Sequence, residues 1–192
     1  MNIFNYPLSF RFIKHTYLSF KKKLSLIRLT HNYFLKTISI KGKTIDLGAG
    51  DGSNLTYYDF INSDEAKIEK ADFYKHAENK IDLENKIIID DHKYDNVILF
   101  NTIEHIENYK NLISECYRIL KNNGNLELFV PFLVLYHPDP KDVFRPTHFY
   151  LEKLLKEKGF KVEITLIGVG PFFASYQNIF RYFKFPFLQT IF

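Results

Sequence analysis

The sequence predicts an α/β fold: a mostly parallel sheet with helices on both faces, preceded by a helical N-terminal extension. Three observations carry that expectation. Between residues 43 and 160, short apolar runs alternate with helical patterns, as in a sheet built from strand–helix crossovers. The first of these runs leads into three glycines at alternate positions, in TIDLGAGDGS over 44–53, which marks a strand that turns sharply at its carboxyl end. The chain has 192 residues, 46% hydrophobic and 25% charged, the size and composition of one globular domain, which excludes a disordered or collagen-like chain.

Strands are expected at residues 44–47, 69–73, 86–89, 96–100 and 125–130. A helix is expected over 111–120, because Leu112, Ile113, Cys116, Ile119 and Leu120 recur on one face, and Asn122, Asn123 and Gly124 end it. A second helix runs over 148–158, with Leu151, Leu154 and Leu155 on one face, Thr147 as its N-cap and Gly159 as its stop. Residues 161–167 return as a strand. Ahead of the first core strand, residues 1–40 show helical spacing in pieces, such as Leu18, Lys22 and Leu26. No clear pair of strands follows 168, so the sheet edge there is expected to be truncated or rearranged.

Charge is divided unevenly. The first 45 residues hold nine Lys or Arg and no acid, leaving 17 basic and 22 acidic residues afterwards, so the net charge of +4 is a +9 arm on a −5 body. No acid follows Glu163, and the 21 residues from Phe172 include nine Phe or Tyr. The arm interleaves its cations with Phe4, Tyr6, Phe10, Phe12, Tyr17, Phe20, Tyr33 and Phe34. That pattern is open to three readings: a cap over a bound ligand, a surface for anionic lipid or a lipid-linked glycan, or a nucleic-acid patch. The aromatic tail adds to a peripheral membrane or homo-oligomer reading, because its apolar surface needs cover. Cys116 is the one cysteine; with no internal disulfide and no CxxC or His/Cys cluster for structural zinc, a reducing compartment is expected. No apolar run reaches the ~18 residues of a membrane span, and Arg11, Lys14, Lys21, Lys22 and Lys23 break any signal-peptide core. A cytoplasmic location follows as the expectation.

The chemistry concentrates in 44–53. Gly48 and Gly50 let the backbone turn and leave no Cβ in the way of a ligand, while a following helix aims its first amides at that ligand. A dinucleotide fingerprint reads G-x-G-x-x-G; here the third glycine comes one residue early and an acid, Asp46, stands at the strand end. Such an acid suits a cofactor with a cationic ammonium better than one that presents only pyrophosphate.

In this form the loop resembles motif I of the class I S-adenosylmethionine-dependent methyltransferases, and further matches follow in order. The resemblance implies a Rossmann-like sheet, S-adenosylmethionine as the cofactor, and a loop of Asp46, Gly48, Ala49, Gly50 and Gly52 that holds it. Asp72 in KADF, 24 positions after Gly48, is implied to bond the ribose hydroxyls, with Phe73 beside it and Glu69 as the fallback. Asp82 and Leu83 in IDLEN are implied to meet the adenine. YDNVILFNTIEHI over 94–106 resembles the family's strand-four segment, which implies Asn101 near the methionine part and Glu104 and His105 on the acceptor side. RILKNNGNLELFVP over 118–131 resembles the strand-five segment, with Asn122 and Asn123 in place of Pro and Gly at a turn.

The next segment, VLYHPDPKDVFRPT over 134–147, resembles a bacterial branch associated with cell-surface polysaccharide synthesis, through His137, Pro140, Asp142, Arg145 and Thr147. That likeness implies a sugar or glycan-linked acceptor. Read from the residues alone, Pro138, Pro140 and Pro146 stiffen this loop. Asp142 and Arg145 then either pair to hold it or contact the acceptor. The expected organisation is one domain: a basic aromatic cap over 1–42, a cofactor-binding core over 43–168 and an aromatic tail over 169–192.

Methyl transfer from a sulfonium needs alignment and desolvation, plus a base where the acceptor is a hydroxyl. His105 and His137 are the candidates. The Glu104–His105 pair also resembles metal-dependent relatives with another Glu three positions earlier; Asn101 stands there, a poor ligand by comparison, so no required metal is expected. Nucleic acid is not the expected acceptor, since neither an Asn/Asp-Pro-Pro-Tyr/Phe signature nor a Pro-Cys nucleophile is present. A reading from another class is a noncatalytic cofactor-binding or scaffold protein that retains the fold.

Overall fold

The computed structural model describes residues 1–168 apart from Leu8, Lys23, Ser25, 51–55, 74–78, Leu135 and Asp139, and beyond them only Ser175. In chain order the elements are β1 (Asn2–Ile3), α1 (Phe10–Lys21), α2 (Leu26–Leu35), β2 (Gly42–Leu47), β3 (Ala66–Asp72), β4 (Asn79–Lys80), β5 (Tyr94–Phe100), α3 (Tyr109–Ile119), β6 (Leu120–Phe129), α4 (His148–Glu157) and β7 (Thr165–Leu166). Five of the strands form one parallel sheet in the order β4-β3-β2-β5-β6. The α/β, Rossmann-like expectation is met.

Alternation along β5 builds the two cores. Val97 and Leu99 face a core shared with α3 and α4, whereas Ile98 and Phe100 face a second core with Leu35 and Ile40. Side chains on a strand alternate faces, so a strand buried on both sides reads as a continuous apolar run. Leu112, Ile113, Cys116 and Ile119 of α3 are fully buried on one stripe, each stabilising by roughly 1.5–3 kcal/mol relative to exposure. Burial also pushes the Cys116 thiol up to about 12, so this residue packs and does not act as a nucleophile.

Helix α2 seals the second core. Its His31 ring stacks on Phe129 at 3.8 Å and meets the edge of Phe100 at 5.2 Å. The inner part of the N-terminal arm is therefore a layer of the fold. Thr147 caps α4 as expected, its hydroxyl accepting from the Tyr150 amide at 3.4 Å.

Two expected strands differ. Residues 86–89 form no ladder, because side chains of α3 take their backbone groups: Glu115 accepts from the Ile87 amide at 2.8 Å, and Arg118 donates to the carbonyls of Ile87 and Ile89 at 2.8 and 2.7 Å. The edge strand is instead β4, two residues paired with Ala71 and Asp72. In the segment 161–167 only Thr165–Leu166 pairs, and its partner is β1 in a separate two-stranded sheet. The N-terminus reaches it first: Asn2 and Phe4 amides donate to Ile164 and Leu166 carbonyls at 2.8 and 3.0 Å. Among the described residues no strand covers the outer edge of β6; the expectation of a truncated or rearranged edge falls on 169–192, outside the described residues save Ser175.

Strand order reverses between β2 and β5. The chain steps outward from β2 through β3 to β4, then returns to lay β5 and β6 on the other side of β2. Such a switch point leaves a crevice beyond the carboxyl ends of the two central strands, where ligands of open α/β sheets bind.

Candidate active site

The loop after β2 enters the crevice in a left-handed turn. Gly48 and Gly50 have φ of +86° and +66°, which a side chain disfavours. A Cβ on Gly48 would lie 2.1 Å from Thr102 Oγ1, whereas one on Gly50 would meet nothing within 4 Å among the described residues. Gly48 thus lets two strand ends touch, and Gly50 leaves its backbone open to a ligand. The amides of Gly48 and Ala49 both donate to the Ala71 carbonyl, at 2.9 and 3.1 Å, and that of Gly50 donates to Asp72 Oδ2 at 2.6 Å. The Asp72 carboxylate therefore splints the loop as well as lining it. Gly52 lies outside the described residues.

Asp46 sits beneath this turn, 1% exposed. The hydroxyls of Tyr57 and Tyr58, from the 3-10 turn Thr56–Asp59, both donate to its Oδ2. Burial pushes the carboxyl up to about 6 against those two bonds. The motif pointed to Asp46; nothing in it pointed to the tyrosines, which stand 11 and 12 positions away. Phe73 follows β3 and is 57% exposed, and Leu83 is buried in the main core. Asp82 accepts from the Glu84 amide and Asn85 Nδ2 at 3.0 and 2.9 Å, as a turn former does.

The acceptor side follows β5. Asn101 adopts φ +49° and donates its amide to the Phe129 carbonyl at 2.9 Å. Thr102 Oγ1 lies 3.3 Å from the Leu47 carbonyl, joining the ends of β2 and β5. A 3-10 turn over Ile103–His105 then presents Glu104, which is 0% exposed and whose two carboxylate oxygens have no hydrogen-bond partner among the described residues. Burial pushes Glu104 up to about 7. Its Oε1 is 3.8 Å from His105 Nε2 and 4.0 Å from His137 Nε2.

The proline-rich loop closes over this turn because Val143 and Phe144 amides donate to the Glu104 carbonyl at 2.8 and 3.2 Å. Within the loop, Arg145 grips Asp142 with both Nε and Nη2, at 2.8 and 2.5 Å. Asp142 also accepts from the His137 amide at 3.0 Å, and the guanidinium holds its carboxyl at about 2. The pairing alternative for Asp142 and Arg145 is the one the structure makes. Arg145 Nη2 further donates to His137 Nδ1 at 3.0 Å, while Arg145 Nη1 is buried without a partner among the described residues. His105 Nδ1 donates to the Lys141 carbonyl.

A family model described as a methyltransferase domain matches residues 17–165. The chain belongs to this methyltransferase family. The fold of the methyltransferase is similar to that of an S-adenosylmethionine-dependent methyltransferase from Aquifex aeolicus (TM-score 0.54, 20% identity, 77% of this chain and 89% of that one). It is also similar to the YcgJ protein from Bacillus subtilis (0.52, 16%, 67% of each chain) and to the cyclase SpnF (0.54, 15%, 67% and 55%). No curated protein matches the sequence.

S-adenosylmethionine is the cofactor of the methyltransferase, and the residues at the switch point fit it. Asp46 offers a buried carboxylate for a cationic ammonium, Gly50 an open backbone, Asp72 a carboxylate for a diol, and Phe73 an exposed aromatic face. A groove of about 1590 Å³ runs along the outer edge of β6; none of these residues lines it, nor do Glu104, His105 and His137.

Proposed function

We propose that the methyltransferase methylates a hydroxyl of a sugar or of a glycan-linked intermediate. The observation that carries this reading is the convergence of Glu104, His105 and His137 at the carboxyl end of β5, on the same sheet edge as the glycine loop. S-adenosylmethionine, when bound, supplies a methyl group activated on a sulfonium. The chain must then orient the acceptor, exclude water and accept a proton. His105 donates from Nδ1 to Lys141, so its Nε2 keeps a lone pair that can take the hydroxyl proton, and the nearby Glu104 carboxylate stabilises the resulting imidazolium. His137 is the second candidate base, once the bond from Arg145 to its Nδ1 is allowed for. The Glu104 carboxylate oxygens and Arg145 Nη1, without partners among the described residues, match the mixed donors and acceptors of a polyol. Asp142 acts through Arg145 and the loop.

Helix α1 supports a place at the inner face of a membrane. Phe10, Ile13 and Tyr17, spaced along one face, are 81%, 58% and 58% exposed beside Arg11, Lys14 and Lys21, the arrangement of an interfacial helix. No helix among the described residues is long and apolar enough to cross a membrane. The proposed tail contact, membrane or homo-oligomer, falls on 169–192, outside the described residues save Ser175.

The test is transfer of labelled methyl from S-adenosylmethionine into nucleotide sugars or polysaccharide fragments. Label is expected in the carbohydrate fraction and is expected to be lost in His105→Ala. Cofactor binding with no transfer to any carbohydrate pool would overturn the reading in favour of a noncatalytic binding protein.

A further inference from the structure

We infer that Glu104, His105 and His137 form a site for one divalent transition-metal ion. The inference deepens the acceptor-side reading above, and rests on it only for what the ion does. The three residues each place a ligand atom within 4.8 Å of the others, yet Glu104 Oε1 stands 3.8 and 4.0 Å from the two Nε2 atoms, too far for hydrogen bonds. The ligand atoms surround a gap instead of bonding one another. A first-row ion with bonds of about 2.1 Å holds its ligands about 3.0–3.4 Å apart, so the two carboxylate–imidazole gaps need to close by about 0.4–1 Å. At the centre is a carboxylate that is 0% exposed with both oxygens unpartnered among the described residues. Burying such a group without donors costs several kcal/mol. A cation in the gap removes that cost.

The surrounding bonds suit ligation. His105 already points its free Nε2 inward, because Nδ1 donates to the Lys141 carbonyl. His137 Nδ1 accepts from Arg145 at 3.0 Å and has Asp142 Oδ2 at 3.7 Å. Ligation through Nε2 requires the ring proton on Nδ1, so loading must turn Arg145 Nη2 off that nitrogen and bring Asp142 Oδ2, now 3.7 Å away, up as the acceptor, which gives the carboxylate–histidine–metal arrangement of many metal sites. Two imidazoles and one carboxylate favour manganese, iron, cobalt or zinc over the all-oxygen preference of magnesium and calcium. With three protein ligands, positions stay open for the acceptor hydroxyl, whose proton becomes easier to remove when coordinated. The ion then acidifies the hydroxyl, and because both imidazoles are ligands the released proton passes to solvent water instead of to a histidine. The third ligand comes from the proline-rich loop, 33 positions after Glu104.

The experiment uses the untagged full chain, stripped with chelator and titrated with Co²⁺ while its visible absorption is followed. One ion per chain is expected, with Glu104→Gln and His137→Ala each weakening binding at least about tenfold and Asp142→Asn about 10- to 100-fold. Circular dichroism and S-adenosylmethionine binding report whether each variant folds. A folded wild type that binds no Co²⁺, or binding unchanged in Glu104→Gln and His137→Ala, overturns the inference. Wild type that binds the cofactor and transfers methyl but takes no Co²⁺ removes the ion and leaves the acceptor reading. Stoichiometric Co²⁺ binding with no carbohydrate methylation keeps the ion and removes the acceptor.

Discussion

Asp46 and Glu104 lie at the ends of adjacent strands, both buried, both with carboxyl groups pushed upward by lost hydration, to about 6 and about 7. Their surroundings differ. Asp46 receives two tyrosine hydroxyls, whereas Glu104 receives no donor from any described residue. Native proteins satisfy nearly all buried polar groups, so the contrast separates an acid that the chain completes by itself from one completed by what binds there.

Breaking the first side of that contrast has the largest expected effect. Gly48→Ala drives a Cβ to 2.1 Å from Thr102 Oγ1 in a left-handed turn, so calorimetry should show a loss of about 3 kcal/mol or more and no cofactor binding. Gly50→Ala, with open space around its Cβ, should cost only about 1 kcal/mol. Asp46→Ala removes the acceptor that two tyrosine hydroxyls share and should cost about 2–4 kcal/mol in denaturant melts. Glu104→Gln should do the opposite: ion-free stability at pH 8 unchanged or higher by about 1–3 kcal/mol, because an uncompensated charge is removed, with methyl transfer down about a hundredfold.

A pH titration sharpens the contrast further. Asp46 is ionised above about 6 and protonated below it, so S-adenosylmethionine should bind about tenfold more weakly at pH 5 than at pH 7, and Asp46→Asn should flatten the difference. Phe73→Ala is the smallest: an exposed ring contributes little to the fold, so stability should hold within about 0.5 kcal/mol while cofactor affinity falls several-fold.

Legibility in the sequence followed the range of the interactions. The periodicity of α3, the Thr147 cap and the glycine turn are written in residues a few positions apart and appear where expected, although α3 ends at Ile119 and Asn122, Asn123 and Gly124, expected as its stop, lie within β6. Residues 86–89 misled because a short apolar run looks alike whether its backbone bonds to a strand or, as here, to Glu115 and Arg118 of a helix. From the residues alone Asp142 and Arg145 either pair or contact the acceptor, and the bidentate grip shows the pairing, which no local spacing could establish.

The sequence by itself determined the cofactor side: an acid, a strand and spaced glycines are local, because a tight turn and a backbone approach are set by adjacent φ and ψ angles. Only the tertiary structure decided the acceptor side. It took the reversal of strand order at β2 and β5 to set Thr102 against Gly48, and the fold of the proline-rich loop to bring His137 to Glu104. Those contacts join residues 33 to 54 positions apart, a distance at which hydrophobic periodicity carries no information and packing alone chooses the partner.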